Sequence, residues 1–183
     1  MGYSIAIQKA WDDYAKCKPE PVASVKFLAD EYSVDLIQKK ITSLACNVAA
    51  KDASAILILH YLTVKLKGPP EFKGEWVNFR ELSGVEGYYP AFRERVIKPI
   101  IKKYGSSPEA ILEVLDRLPA KKVDQGDIGI VVEAFEGVPA LINLWRSDEE
   151  FEPEANVLFD KSISKIFCTE DVVVLGWFIA ASL

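Results

Sequence analysis

The chain has 183 residues, half of them hydrophobic and 27% charged, with ten glycines and ten prolines. That size and balance describe a soluble folded domain with a substantial core and exclude a disordered chain. A formal net charge of −5 argues against nucleic acid as a partner, because phosphate backbones are held chiefly by excess Lys and Arg.

In chain order, Ile7, Ala10, Trp11 and Tyr14 recur three and four apart and predict a helix over about 3–17, stopped by "KPEP". The first residues lack a basic start, a long apolar core and a cleavage site, so a cytoplasmic protein without a signal peptide is expected. Met1-Gly2 suggests myristoylation, but Ala6 stands where that motif needs Ser or Thr. From Ser24 to Leu44 short alternations of β-branched and aromatic residues predict two or three strands. "DASAILILHYLTVKL" predicts an apolar helix ended by Gly68-Pro69-Pro70, with the stripe Ala53, Leu57, His60 and Val64 facing the core.

"GEWVNFRELSG" reads as a strand with Trp76, Asn78 and Arg80 on one face. "YYPAFRERVIKPIIKKYG" begins a helix at Pro90, with the apolar stripe Phe92, Val96, Ile100 and Tyr104. Pro99 has no amide hydrogen to give the carbonyl of Arg95, so a kink or a break is expected there. "SSPEAILEVLDRL" predicts a helix capped by Ser107, with Ile111, Leu115 and Leu118 inward. "DIGIVVEAF" and "VPALINLW" around Glu136-Gly137 predict a β-hairpin buried on both faces and covered by helices, with Pro139 at an edge or an end. A last helix with Thr169 as N-cap follows, and its twelve-residue apolar run is shorter than the ~20 residues that span a bilayer. No membrane association is expected. The whole, 1–183, reads as a single α+β domain of mostly antiparallel sheet packed by helices.

Chemistry is sparse. Cys17, Cys46 and Cys168 are odd in number and far apart, which fits free thiols in a reducing compartment. With one histidine and three scattered cysteines, neither a transition metal nor another cofactor is expected. His60 reads first as a core histidine. Its pairing with Cys46 or Cys168 is the reactive alternative.

Three segments carry candidate site residues. Asp148, Glu149, Glu150, Glu152 and Glu154 place five carboxylates in seven residues, equal to the entire net charge. With Asn156 and Asp160 they offer oxygen ligands, although the spacing is not that of an EF-hand. Phe151 and Pro153 are expected to pin part of this loop to the body with selected carboxylates turned inward, Asp160 first among them. "NVLFD" puts Asn156, Leu158 and Asp160 on one side, and "FDKSIS" gives Asp160 the chemistry of a local cap accepting backbone amides. The second segment, 93–103, has an excess of four positive charges, with Arg95, Lys98 and Lys102 along one face. It suits an anionic ligand, or an acidic loop of the same chain or of a second copy. In the third, Trp76, Phe79, Tyr88, Tyr89 and Phe92 surround Arg80 and Glu81. A pocket lined by Arg80, Tyr88 and Tyr89 suits a small planar anionic ligand, with Arg80 as its forked donor.

"ILILHYL" at 56–62, "FRELSG" and "YYPAF" within 79–92, and "DEEFEPEANVLFDKSIS" with "TEDVVVLG" within 148–176 resemble the signature stretches of an uncharacterised prokaryotic family, domain of unknown function 3786. The resemblance runs from about Ile56 onward, with the first fifty residues matching more loosely. It implies a setting in anaerobic bacteria and archaea, where some members carry an added cysteine-rich iron–sulfur segment. This chain has no Cys-x-x-Cys.

The expected function is that of a non-catalytic small-molecule-binding or accessory domain, which the resemblance would place beside metalloenzymes of anaerobic metabolism. The candidate binding residues are Arg80, Glu81, Tyr88, Tyr89, Glu150, Asn156 and Asp160. The alternatives are an enzyme acting on a small anionic substrate, with Asp160 or Glu150 as acid/base and Arg80 as clamp, and a structural subunit acting as a homodimer or with a protein partner.

Overall fold

A computed structural model describes residues 2–68 and 71–183. Met1 of the myristoylation reading and Pro69-Pro70 of the helix stop lie outside the described residues. The fold is α+β with antiparallel sheets, and the chain divides into two compact units, 1–71 and 72–183.

The first unit begins with helix α1, Gly2–Lys16, which buries Ala10, Trp11 and Tyr14 and packs on helix α2, Asp52–Lys67. Between them run β1 (Val22–Phe27), β2 (Asp30–Asp35) and β3 (Lys40–Ser43), an antiparallel three-stranded meander. Helix α2 differs from the expected amphipathic one. Leu57 is buried, but Ala53, His60 and Val64 are only half-buried, while Ser54, Ala55, Ile58, Leu59, Tyr61 and Leu62 are buried as well. A helix apolar around most of its circumference has no sequence-defined inner stripe.

The second unit is built on a five-stranded antiparallel sheet in the order β4-β8-β7-β6-β5. These strands are β4 (Trp76–Asn78), β5 (Ala120–Val123), β6 (Ile128–Phe135), β7 (Val138–Trp145) and β8 (Glu154–Asp160). The β6–β7 hairpin turns at Glu136-Gly137 as expected, Gly137 having φ +75°. Pro139 lies in a central strand. It is tolerated because it faces Glu133 beside a bulge, and pairing with β8 begins one residue later, at Ala140 and Phe159.

One face of this sheet carries the helical layer. Phe92 of helix α3, Tyr89–Phe92, meets Phe159 edge-on at 6.2 Å and stacks on Phe79 at 4.3 Å. The predicted helix continues through a π segment, Arg93–Ile97, into helix α4, Lys98–Tyr104, and the expected stripe Phe92, Val96, Ile100 and Tyr104 is buried. Pro99 lies in the first turn of α4, so the broken pattern is absorbed as one wide turn just before the proline, where the amide of Lys98 reaches the carbonyl of Arg93. A short helix α5, Ile163–Ile166, and a longer one, α6, Thr169–Ser182, follow.

Three local expectations are corrected. The strand at 76–80 stops at Asn78, whose side chain accepts the amide of Arg80 at 3.0 Å while Glu81 accepts the amide of Asn78. This capping box turns Phe79–Glu81 into a 3₁₀ turn, so Arg80 does not share a strand face with Trp76 and Asn78. Pro108–Asp116 is 3₁₀ rather than α, and Ser107 makes no side-chain cap. Its buried residues Pro108, Ile111 and Val114 follow the threefold repeat of that helix, and Leu115 is only half-buried. At α6 the N-cap is Cys168, whose amide is accepted by Asp171 at 3.3 Å, while the Thr169 hydroxyl donates to the Ser83 carbonyl at 3.0 Å.

Candidate functional site

Strand alternation decides what the other face of the five-stranded sheet presents. Lys121 of β5 pairs with Val131 of β6, Val131 with Leu141 of β7, Leu141 with Leu158 of β8, and Leu158 with Asn78 of β4. Side chains of paired residues share a face, so this row lies opposite Phe159 and its helices. The face opens into a cleft of about 700 Å³ whose lining includes Val131, Pro139 and Leu141 as floor, Phe72 and Trp76 as wall, and Lys121 and Glu133 as charged groups. Phe72 and Trp76 meet edge-to-face at 6.3 Å, a packing favoured by ring quadrupoles. The exposed Phe72 ring is thereby held by the half-buried Trp76.

The polar groups differ in their commitments. Glu133 accepts the amide of Gly137 at 2.9 Å and so helps hold the hairpin turn beside the cleft. Lys121 is exposed and forms no ion pair among the described residues. One row away, Asn143 is buried opposite Gly129, and its Oδ1 has no hydrogen-bond partner among the described residues. A Cβ on Gly129 would stand 2.5 Å from the Gln125 carbonyl oxygen as well as 3.2 Å from that Oδ1, so the backbone admits only glycine here. Among the described residues, no three His, Cys, Asp or Glu side chains gather in a metal-binding group.

None of the seven residues singled out from sequence lines this cleft. Arg80 is exposed with its guanidinium 3.7 Å from the centre of the Tyr89 ring, a cation–π contact, and Tyr88 is exposed nearby in sequence. Glu81 is spent on the Asn78 amide. Asn156 is half-buried in β8 on the same side as Leu158 and Asp160, as the alternation predicted. Glu150 is exposed in the acidic loop, as are Asp148, Glu149, Glu152 and Glu154.

Asp160 turns inward as expected, whereas the loop 148–154 is not pinned by Phe151 and keeps its own carboxylates outward. Asp148 Oδ1 accepts the amides of Glu150 and Phe151, both at 2.8 Å, and the Asp148 amide reaches the Phe151 carbonyl at 3.0 Å. This closed turn leaves Phe151 68% exposed, and only Pro153 seats the loop, its ring against Gly105. Unpaired carboxylates stay in water because burial without partners is costly.

Asp160 is the buried carboxylate. Its Oδ1 accepts the amides of Lys73 at 3.1 Å and Ser162 at 3.0 Å, and its Oδ2 that of Gly74 at 2.8 Å. Burial pushes its carboxyl up, but the hydrogen bonds from Ser162, Lys73 and Gly74 outweigh it and hold the group below the ordinary carboxylate range. Cys168 moves the other way, its thiol pushed up by burial, and Cys46 donates its thiol to Ser43 at 3.2 Å.

Residues 12–182 match the family model described as Domain of unknown function (DUF3786), and the chain belongs to that family. No curated protein and no solved structure matches it. No described helix is long and apolar enough to cross a membrane.

Of the cleft residues only Trp76 belonged to the aromatic cluster singled out from sequence; Phe72, Lys121, Val131 and Leu141 escaped because they are scattered, and β6 and β7 read as uniform core. The available signal was register. A hairpin pairing Val131 with Leu141, next to a strand of sequence "AKKV", already places a lysine beside an apolar pair.

Proposed function

We propose that this chain is a binding domain that takes a small planar, mostly apolar molecule in the cleft on the sheet face, with Lys121 meeting an anionic group of that molecule. The observation that carries this reading is the lining. An apolar floor and an edge-to-face aromatic pair supply contact area, and one uncommitted ammonium supplies orientation, the usual division of labour in small-molecule sites.

Acid–base catalysis at Asp160 is the weaker reading. Three backbone amides occupy its oxygens, and a carboxyl held below its ordinary range is a poor proton donor near neutrality.

A fluorescent probe of the matching chemistry tests the proposal. 8-Anilinonaphthalene-1-sulfonate, which joins a flat apolar naphthalene to an anionic sulfonate, is expected to bind one molecule per chain. Trp76→Ala and Lys121→Glu should each weaken it about tenfold, the equivalent of ~1.4 kcal/mol. Unchanged affinity in both folded variants overturns the assignment. Native mass spectrometry of protein purified from its host then identifies what the cleft carries.

A further inference from the structure

The π segment builds a further groove in the unit 72–183. In an α-helix a residue five positions on is rotated by about 140°, so Arg93 and Lys98 would face apart. The wide turn takes an extra residue, its bond running from the amide of Lys98 to the carbonyl of Arg93, and stacks the two side chains in one row that Lys102 extends by an ordinary turn. The basic row is therefore Arg93, Lys98 and Lys102, and the expected Arg95 is not in it. These three line a groove over Pro99, Ile101 and Pro153. Lys98 is paired with Glu94, whereas Arg93 and Lys102 have no ion-pair partner among the described residues.

The acidic loop borders the same groove through Glu152 and Pro153. Its tip is fixed by Asp148 and presents exposed Glu149, Glu150 and Phe151. Groove and tip are complementary in both charge and apolarity, with cations and a proline-isoleucine floor on one side and carboxylates with an outward phenylalanine on the other.

We propose that this face is a self-association surface, in which the tip Glu149–Phe151 of one copy seats in the Arg93/Lys98/Lys102 groove of a second copy, and reciprocally. Groove and tip lie side by side, so a twofold axis between them satisfies both contacts at once. The turn closed by Asp148 holds the tip ordered before association, which lowers the entropic cost of binding.

The test is charge reversal with mixing. By sedimentation at low salt the wild type is expected to dimerise, and to lose at least tenfold in affinity at high salt, since exposed charges are screened over ~8 Å already at physiological ionic strength. The tip variant Glu149→Lys/Glu150→Lys and the groove variant Arg93→Glu/Lys102→Glu should each be folded and monomeric. An equimolar mixture of the two should dimerise, because in the mixed dimer the reversed tip meets the reversed groove and the native tip meets the native groove, so both contacts join opposite charges. Phe151→Ser should weaken the wild-type dimer. A monomeric wild type overturns the proposal, including one that takes up pyrophosphate or an acidic peptide in the groove. So do reversed variants that dimerise like the wild type, or a mixture that stays monomeric.

Discussion

Asp160 joins the end of β8 to the segment before β4 by holding the amides of Lys73, Gly74 and Ser162. Replacing it by Ala leaves these donors without their acceptor, and a loss of about 2 to 3 kcal/mol is expected, with Asp160→Asn losing less because one carbonyl oxygen remains. The pH dependence has a definite sign. A carboxyl held below its unfolded value contributes stability that is present above about pH 4 and is lost as pH falls through the folded value. The stability difference between wild type and Asp160→Asn should therefore narrow on acidification below about pH 4. Urea melts at neutral and acid pH measure it, and a difference constant with pH contradicts the charged anchor. The local half of this arrangement was legible in "FDKSIS", where Ser162 follows two residues after the carboxylate. The half supplied by Lys73 and Gly74 was not, because those amides come from 87 and 86 residues away.

At the scale of elements, the hairpin, the strands of 24–44 and the alternation of β8 were readable because alternation and turn residues act locally, whereas the short β5 was not expected and β4 ends sooner than its pattern suggests. The helices deviate where one residue imposes a geometry that periodicity does not encode. Pro99 draws a π turn, and Pro108–Asp116 winds as 3₁₀ despite apolar residues that suit an α-helix. The contact of α6 with the π segment depends on Gly176, where a Cβ would stand 3.0 Å from the Phe92 ring and 3.1 Å from Val96. Phe92 has little room to yield, since it is stacked on Phe79 and meets Phe159 edge-on. Gly176→Ala gains about 0.5 to 1 kcal/mol of helix propensity but overpacks this contact at a cost of about 1 to 3 kcal/mol, so net destabilisation is expected. Thermal melts of Gly176→Ala decide it. A raised melting temperature means that α6 shifts freely over Phe92 and that the close approach is not a constraint.

For the whole molecule, the family match spans 12–182 and crosses the division between the units 1–71 and 72–183. The site legible from sequence was a set of neighbours along the chain, Arg80, Tyr88 and Tyr89, whereas the cleft gathers residues from Phe72 to Leu141 by sheet register, which composition does not reveal. Every residue in its described lining is at position 72 or later. The second unit contains the complete five-stranded sheet and the layer formed by α3, the π segment, α4 and α6, which is the minimum that buries a sheet face against helices. The segment 72–183 expressed alone is therefore expected to unfold in one cooperative thermal transition and to bind 8-anilinonaphthalene-1-sulfonate within about threefold of the full chain, a difference below ~1 kcal/mol. Circular dichroism and fluorescence titration of the fragment measure both quantities. Absence of a cooperative transition would make 1–183 a single folding unit. A cooperative fragment that fails to bind would place part of the ligand's contacts in residues 1–71.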